Sequence, residues 1–238
     1  MATEYSTEDR VELARAAGDA LLTVGTMLRS KESEPQQSRA IGIVTQMAGE
    51  LILGAVDLAC KGNHYSSLAL HRQLLEVFHL LDFFANDPER AARWIVTPDR
   101  DFAKPSNEFR PAALRTAGGF DGTQYSQHCA LAGHPRPAGR VVLPKGEAWA
   151  RPLPVTSAVT GKDMFISLKD LALCDGLLHA RTTFFAAGRA IDALGLTDDF
   201  VERLAPTWAD LEHWASEDPG AMVKSRGAAS EVTPAATE

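Results

Sequence analysis

The strongest pattern in the chain lies between His64 and Ile95, where Leu70, Leu74, Val77, Phe78, Leu80, Leu81 and Phe84 follow one another at helical spacing. At about 100° per residue these positions cover more than half of the helix circumference, which predicts a central helix packed on several sides. One narrow polar stripe interrupts the apolar surface. Arg72, Glu76 and His79 fall within about 60° of one another on the wheel, with Leu68, Leu75 and Phe83 beside them. The stripe predicts a buried Arg72–Glu76 pair in the middle of the protein.

Other helices follow from the same periodicity. Ser6 and Asp9 form a capping-box pattern, after which Val11, Leu13, Ala14, Ala17, Leu21, Val24 and Leu28 recur up to about Arg29. Ile41, Val44, Met47, Ala48, Leu51, Ala55, Leu58 and Ala59 predict a second helix closing at Gly62, and Asn63 is placed to cap the central one. Asp87-Pro88-Glu89 ends the central helix and starts a short helix running to about Thr97. From Pro98 to Phe120 the prolines and Gly118-Gly119 leave room for a loop with a short helix. Tyr125, Cys129 and Ala132 predict a helix of about three turns that stops at Gly133, placing His134 just past its end. Ser167 and Asp170 form another capping box opening a long helix to Gly195, and Thr197 starts a last one carrying Phe200, Leu204, Trp208, Leu211 and Trp214. Four long helices predict an all-α bundle, a single domain spanning 1–216.

Within it, 135–166 is rich in proline and β-branched residues and predicts an extended or hairpin insertion, its pieces too short and Pro-flanked for central strands. Residues 217–238 are small and polar without a period, which predicts a disordered tail.

A net charge of −7 excludes nonspecific coating of nucleic acid, but the insertion carries Arg136, Arg140, Lys145, Arg151 and Lys162 and is locally basic. Cys60, Cys129 and Cys174 lack the spacing of a disulfide framework or thiolate zinc site. With an acidic amino terminus and no run of 18 apolar residues free of charge, the expectation is a soluble cytoplasmic protein with no membrane partner.

The candidate site combines Arg72, Glu76, Tyr125, His134, Arg136 and Arg140 as binding residues. If the His134 turn covers the mouth of the polar stripe, arginine forks and an imidazole converge on a pocket suited to a small anionic ligand. Glu76 and His79 also have the Glu-x-x-His spacing of di-iron carboxylate bundles, which need the motif twice. The nearest substitutes are Asp175 with His179, and Glu50 or Asp57. His128 and His134 are six apart across a helix end, poorly placed to share a zinc ion. No metal ligand and no cofactor are therefore expected, with a di-iron-type site kept as a second alternative. Nucleotide-binding glycine loops and hydrolase elbows are absent from the sequence.

SSLALHRQLLEV, the Asp-Pro-Glu-Arg-Ala-Ala-Arg-Trp step and Tyr125-Ser-Gln-His-Cys-x4-His134-Pro135 resemble a broad group of uncharacterised bacterial all-helical proteins, over roughly residues 40–195. The resemblance implies shared positions at Arg72, Glu76, Tyr125 and His134. It also has a distant HEPN-like flavour, since the six residues between Arg72 and His79 fit the Arg-x(4 to 6)-His motif of HEPN ribonucleases. That likeness implies Arg72 and His79 as catalytic residues of a metal-independent ribonuclease acting as a homodimer on RNA, in a toxin or defence system. The main expectation is a ligand- or partner-binding regulatory module, and the ribonuclease is its alternative.

Overall fold

The computed structural model describes residues 5–30, 35–117, 122–133, 143, 152–221 and 223–225, and is an all-α helical bundle. Four long helices form its body: α1 (Thr7–Ser30), α2 (Gln36–Cys60), α3 (His64–Asn86) and α8 (Leu168–Asp192). Between α3 and α8 come α4 (Glu89–Val96), α5 (Asp99–Phe102), α6 (Pro111–Ala117), α7 (Gly122–His128) and a π-helical turn, Cys129–Gly133. A final helix, α9 (Thr197–Glu217), lies against α1 and α8.

The helix ends follow the capping chemistry read from the sequence. Ser6 and Asp9 exchange bonds at the start of α1, Asn63 Oδ1 accepts from the Ser66 amide, and Ser167 Oγ accepts from the Asp170 amide. Gly62, at φ +74°, takes the left-handed conformation that ends α2.

α1 and α2 meet along a glycine seam. A Cβ on Gly25 would lie 2.6 Å from the Gln46 backbone nitrogen and 2.7 Å from the Gly42 carbonyl oxygen, and one on Gly49 would lie 2.6 Å from the Gly18 carbonyl oxygen. The two backbones are therefore in direct contact, in antiparallel register. α2 is long and apolar enough to cross a membrane by length and composition; here Ile41, Val44, Ala48 and Ile52 are buried in the core. Ser67 donates to the Ala55 carbonyl and sets α3 antiparallel to α2. Along α3 and α8, His71 pairs with Asp175 and Asn86 with Arg189, so these two helices run parallel. Parallel neighbours need a long crossover. Here it holds α4–α7, the π-turn and the hairpin described next.

The insertion contains the expected hairpin, β1 (Leu153–Ser157) with β2 (Asp163–Ile166), turned at Gly161 with φ +69°. Contrary to the sequence expectation, β1 is a central strand, because β3 (Val223–Ser225) pairs with its other edge. Pro154 is tolerated because β3 starts pairing only at Val155, leaving the proline beside one neighbour.

The disordered tail expected from residue 217 is also corrected. Glu217 is the last residue of α9, and Asp218 is fully buried. Its carboxylate accepts from Arg10 Nε at 2.8 Å, Arg10 Nη2 at 2.9 Å and Trp214 Nε1 at 2.7 Å. Arg10, itself buried, is the partner that draws this polar segment in. Residues 226–238 lie outside the described residues.

Candidate metal centre

Of the sequence-derived site residues, Arg72, Glu76 and Tyr125 stand together. Tyr125 donates its hydroxyl hydrogen bond to Glu76 Oε1 at 2.8 Å, Arg72 Nη1 lies 3.7 Å from the same oxygen, and the Arg72 guanidinium is 6.0 Å from the centre of the Tyr125 ring. Burial, followed by the bond to Glu76, pushes the Tyr125 hydroxyl up to about 12, so it remains a donor. The expected deep burial of the pair is corrected. Arg72 and Glu76 are half-buried, at the edge of a cleft of about 640 Å³ between α2 and α3, whose walls include Met47, Leu51, Val77 and Leu80. α2 does not cover this flank of α3 fully, so the two charges keep contact with water. His79 parts from them: it is buried and its ring packs edge-on against Phe78. His134, Arg136 and Arg140 lie outside the described residues.

Among the described residues, a dense cluster of titratable groups lies one residue away, on the neighbouring face of α3. His71 faces α8, where Asp175 and His179 occupy i and i+4 positions, and His128 arrives from the end of α7. Asp175 Oδ2 is 2.7 Å from His71 Nδ1 and 2.8 Å from His128 Nε2. His179 Nε2 is 3.3 Å from His128 Nε2 and 3.5 Å from Asp175 Oδ1. The ligating atoms of His71, His128 and Asp175 all lie within 4.8 Å of one another. The three imidazoles are buried, while the Asp175 side chain is 29% exposed and forms the open edge.

Three local features lie beside these rings. Gly176 backs onto His71, and a Cβ there would meet His71 Nε2 at 2.9 Å. The change from α-helix to π-turn falls directly after His128, and such turns are concentrated at functional sites. Thr182 and Thr183 donate their hydroxyls to the His179 carbonyl.

The electrostatics suit metal ligation. Burial lowers the His71 pKa and outweighs its bond to Asp175, so the ring is neutral, the form in which imidazole ligates. Burial would raise the Asp175 carboxyl; His179 and the hydrogen bonds from the surrounding imidazoles more than offset it, and hold the group well below the usual carboxylate range. With metal–nitrogen bonds of about 2.0–2.1 Å, two ligands of a tetrahedral ion sit about 3.3 Å apart, and two cis ligands of an octahedral ion about 2.9 Å. The His128–His179 separation of 3.3 Å matches the tetrahedral edge, while the contacts of Asp175 Oδ2 at 2.7 and 2.8 Å are hydrogen bonds a little shorter than the octahedral one.

The sequence expectation names no metal ligand, places Asp175 and His179 only as substitutes in a di-iron pattern and sets His128 beside His134; His71 is not among its site residues. Its signal was available: His71 lies on the apolar face with Leu74 and Leu75, where a lone polar ring calls for a partner. The Cys174 thiol offers little competing chemistry, since burial pushes it up to about 12. No family model, curated protein or solved structure matches this chain.

Proposed function

We propose that this protein is a metal-binding helical bundle in which His71, His128, Asp175 and His179 hold one divalent transition ion. The observation that carries the reading is the convergence of three imidazole nitrogens on one buried-edge carboxylate, drawn from three separate segments. Neutral imidazole with one carboxylate favours zinc, iron, nickel or copper over magnesium and calcium, which prefer all-oxygen shells. The partly exposed Asp175 marks the side from which an exogenous molecule reaches the ion.

Metal content decides it. The purified full chain, stripped and then titrated with zinc, is expected to take up about one equivalent, and His71→Ala, His128→Ala or Asp175→Ala each to lose most of that uptake. A chain that takes up no zinc, iron, nickel or copper overturns the reading and leaves the cluster as hydrogen-bonded core.

A second reading, binding of a small anionic ligand at Arg72, is supported by the cleft volume, which lies in the usual range for small-molecule sites. The ribonuclease alternative needs Arg72 and His79 exposed together. The burial of His79 does not favour it.

A further inference from the structure

Three of the four cluster residues sit on α3 and α8, long helices fixed by the bundle core. His128 differs. It belongs to the short α7 and π-turn segment, which packs on α3 and reaches Asp175 and His179 on α8 through the His128 ring. The position of that ring depends on what ties the segment down. Tyr125, one turn before His128, donates to Glu76 at 2.8 Å, and Arg72, beside His71, lies 3.7 Å from the same Glu76 oxygen with its guanidinium 6.0 Å from the centre of the Tyr125 ring. Both contacts hold Tyr125 against the stretch of α3 that begins beside His71.

We infer that Tyr125, Glu76 and Arg72 form a latch that positions His128 for metal ligation, so that docking of residues 122–133 on α3 and occupancy of the His71–His128–Asp175–His179 centre are coupled. This rests on the metal-binding reading. The latch gives the half-buried hydroxyl, carboxylate and guanidinium a common role: together they hold Tyr125, and with it the turn that carries His128, against α3. Coupling runs both ways, because an ion that binds the assembled centre stabilises the docked arm by mass action.

The test compares the full-length wild type with Tyr125→Phe, Glu76→Ala, Glu76→Gln and His128→Ala, measuring zinc affinity by chelator competition and the visible absorption of the cobalt form. Loss of an outer tie to a ligating histidine typically weakens binding by roughly 10–100-fold. Tyr125→Phe and Glu76→Ala are expected to weaken zinc by about tenfold or more, with a cobalt spectrum shifted toward that of His128→Ala. Glu76→Gln keeps an oxygen acceptor for Tyr125 and should retain most of the affinity, which a loss of charge or general destabilisation would not produce. Wild-type affinity and spectrum in Tyr125→Phe, beside a clear loss in His128→Ala, overturn the latch and leave the metal centre standing. No metal uptake by the wild type overturns both. If Tyr125→Phe fails to fold, hydrogen exchange of the wild type decides: zinc should slow the amides of 122–133, and exchange there that ignores zinc removes the coupling.

Discussion

Gly176 lies directly behind the His71 ring, 2.9 Å from Nε2 measured from where its Cβ would be. Two opposing effects follow from adding that methyl. Alanine favours the helix interior over glycine by about 1 kcal/mol, while the ring, fixed by Asp175 on its other side, must shift. Gly176→Ala should therefore leave thermal stability within about 1 kcal/mol of wild type and lower zinc affinity by roughly 10–100-fold. Chemical denaturation beside zinc titration separates the two. Unchanged zinc affinity would show that the ring position does not govern the centre.

Asp218 closes the bundle by holding Arg10 and Trp214. A truncation after Glu217 leaves a buried guanidinium without its main partner and should cost about 3–5 kcal/mol. A truncation after Ser225 keeps these contacts and β3, and should melt close to wild type. Equal melting temperatures for the two would mean that the clamp contributes nothing net.

Acid titration should expose Asp170. Burial would raise its carboxyl, but hydrogen bonds from Ser167 and Thr7 and the charge of Arg10 lower it below the ordinary value. A folded-state pKa below the unfolded one means that the unfolded chain binds the proton first. The stabilisation is complete above the unfolded value, about 3.9, and is lost as pH falls through the folded one. Asp170→Asn should be less stable at neutral pH and should lose less on acidification below about pH 4. Parallel acid-unfolding curves for the two proteins would remove Asp170 from the acid response.

Two glycines give opposite outcomes for the same change. At Gly25 a methyl meets backbone atoms of α2, which cannot swing aside, so Gly25→Ala should destabilise by roughly 1–3 kcal/mol, the usual cost of overpacking. At Gly188 nothing lies within 4 Å of the added Cβ, and Gly188→Ala should stabilise by about 0.5–1 kcal/mol. Urea unfolding of both variants checks the pair.

How far the sequence reached depended on the range of the interaction. Helix existence and caps are local, so Ser6–Asp9, Asn63 and Ser167–Asp170 were legible as short patterns. Arg72, Glu76 and Tyr125 stand together in the sequence expectation, and the structure brings them into contact. The His71–His128–Asp175–His179 cluster was not assembled, because its members come from three segments and only Asp175 and His179 share a local spacing. The docking of Asp218 was hidden for a related reason. Its segment has few apolar residues, and what draws it in is a single charge more than 200 positions earlier.

The glycine seam divides the labour of the bundle mechanically. With α1 and α2 touching backbone to backbone, neither can slide or rotate without moving the other, and together they should act as one stiff plate, among the slowest regions to open. The histidines are mounted on other elements, α3, α7 and α8. Undocking of the short α7 arm, the step that the latch couples to metal, would therefore leave this plate intact.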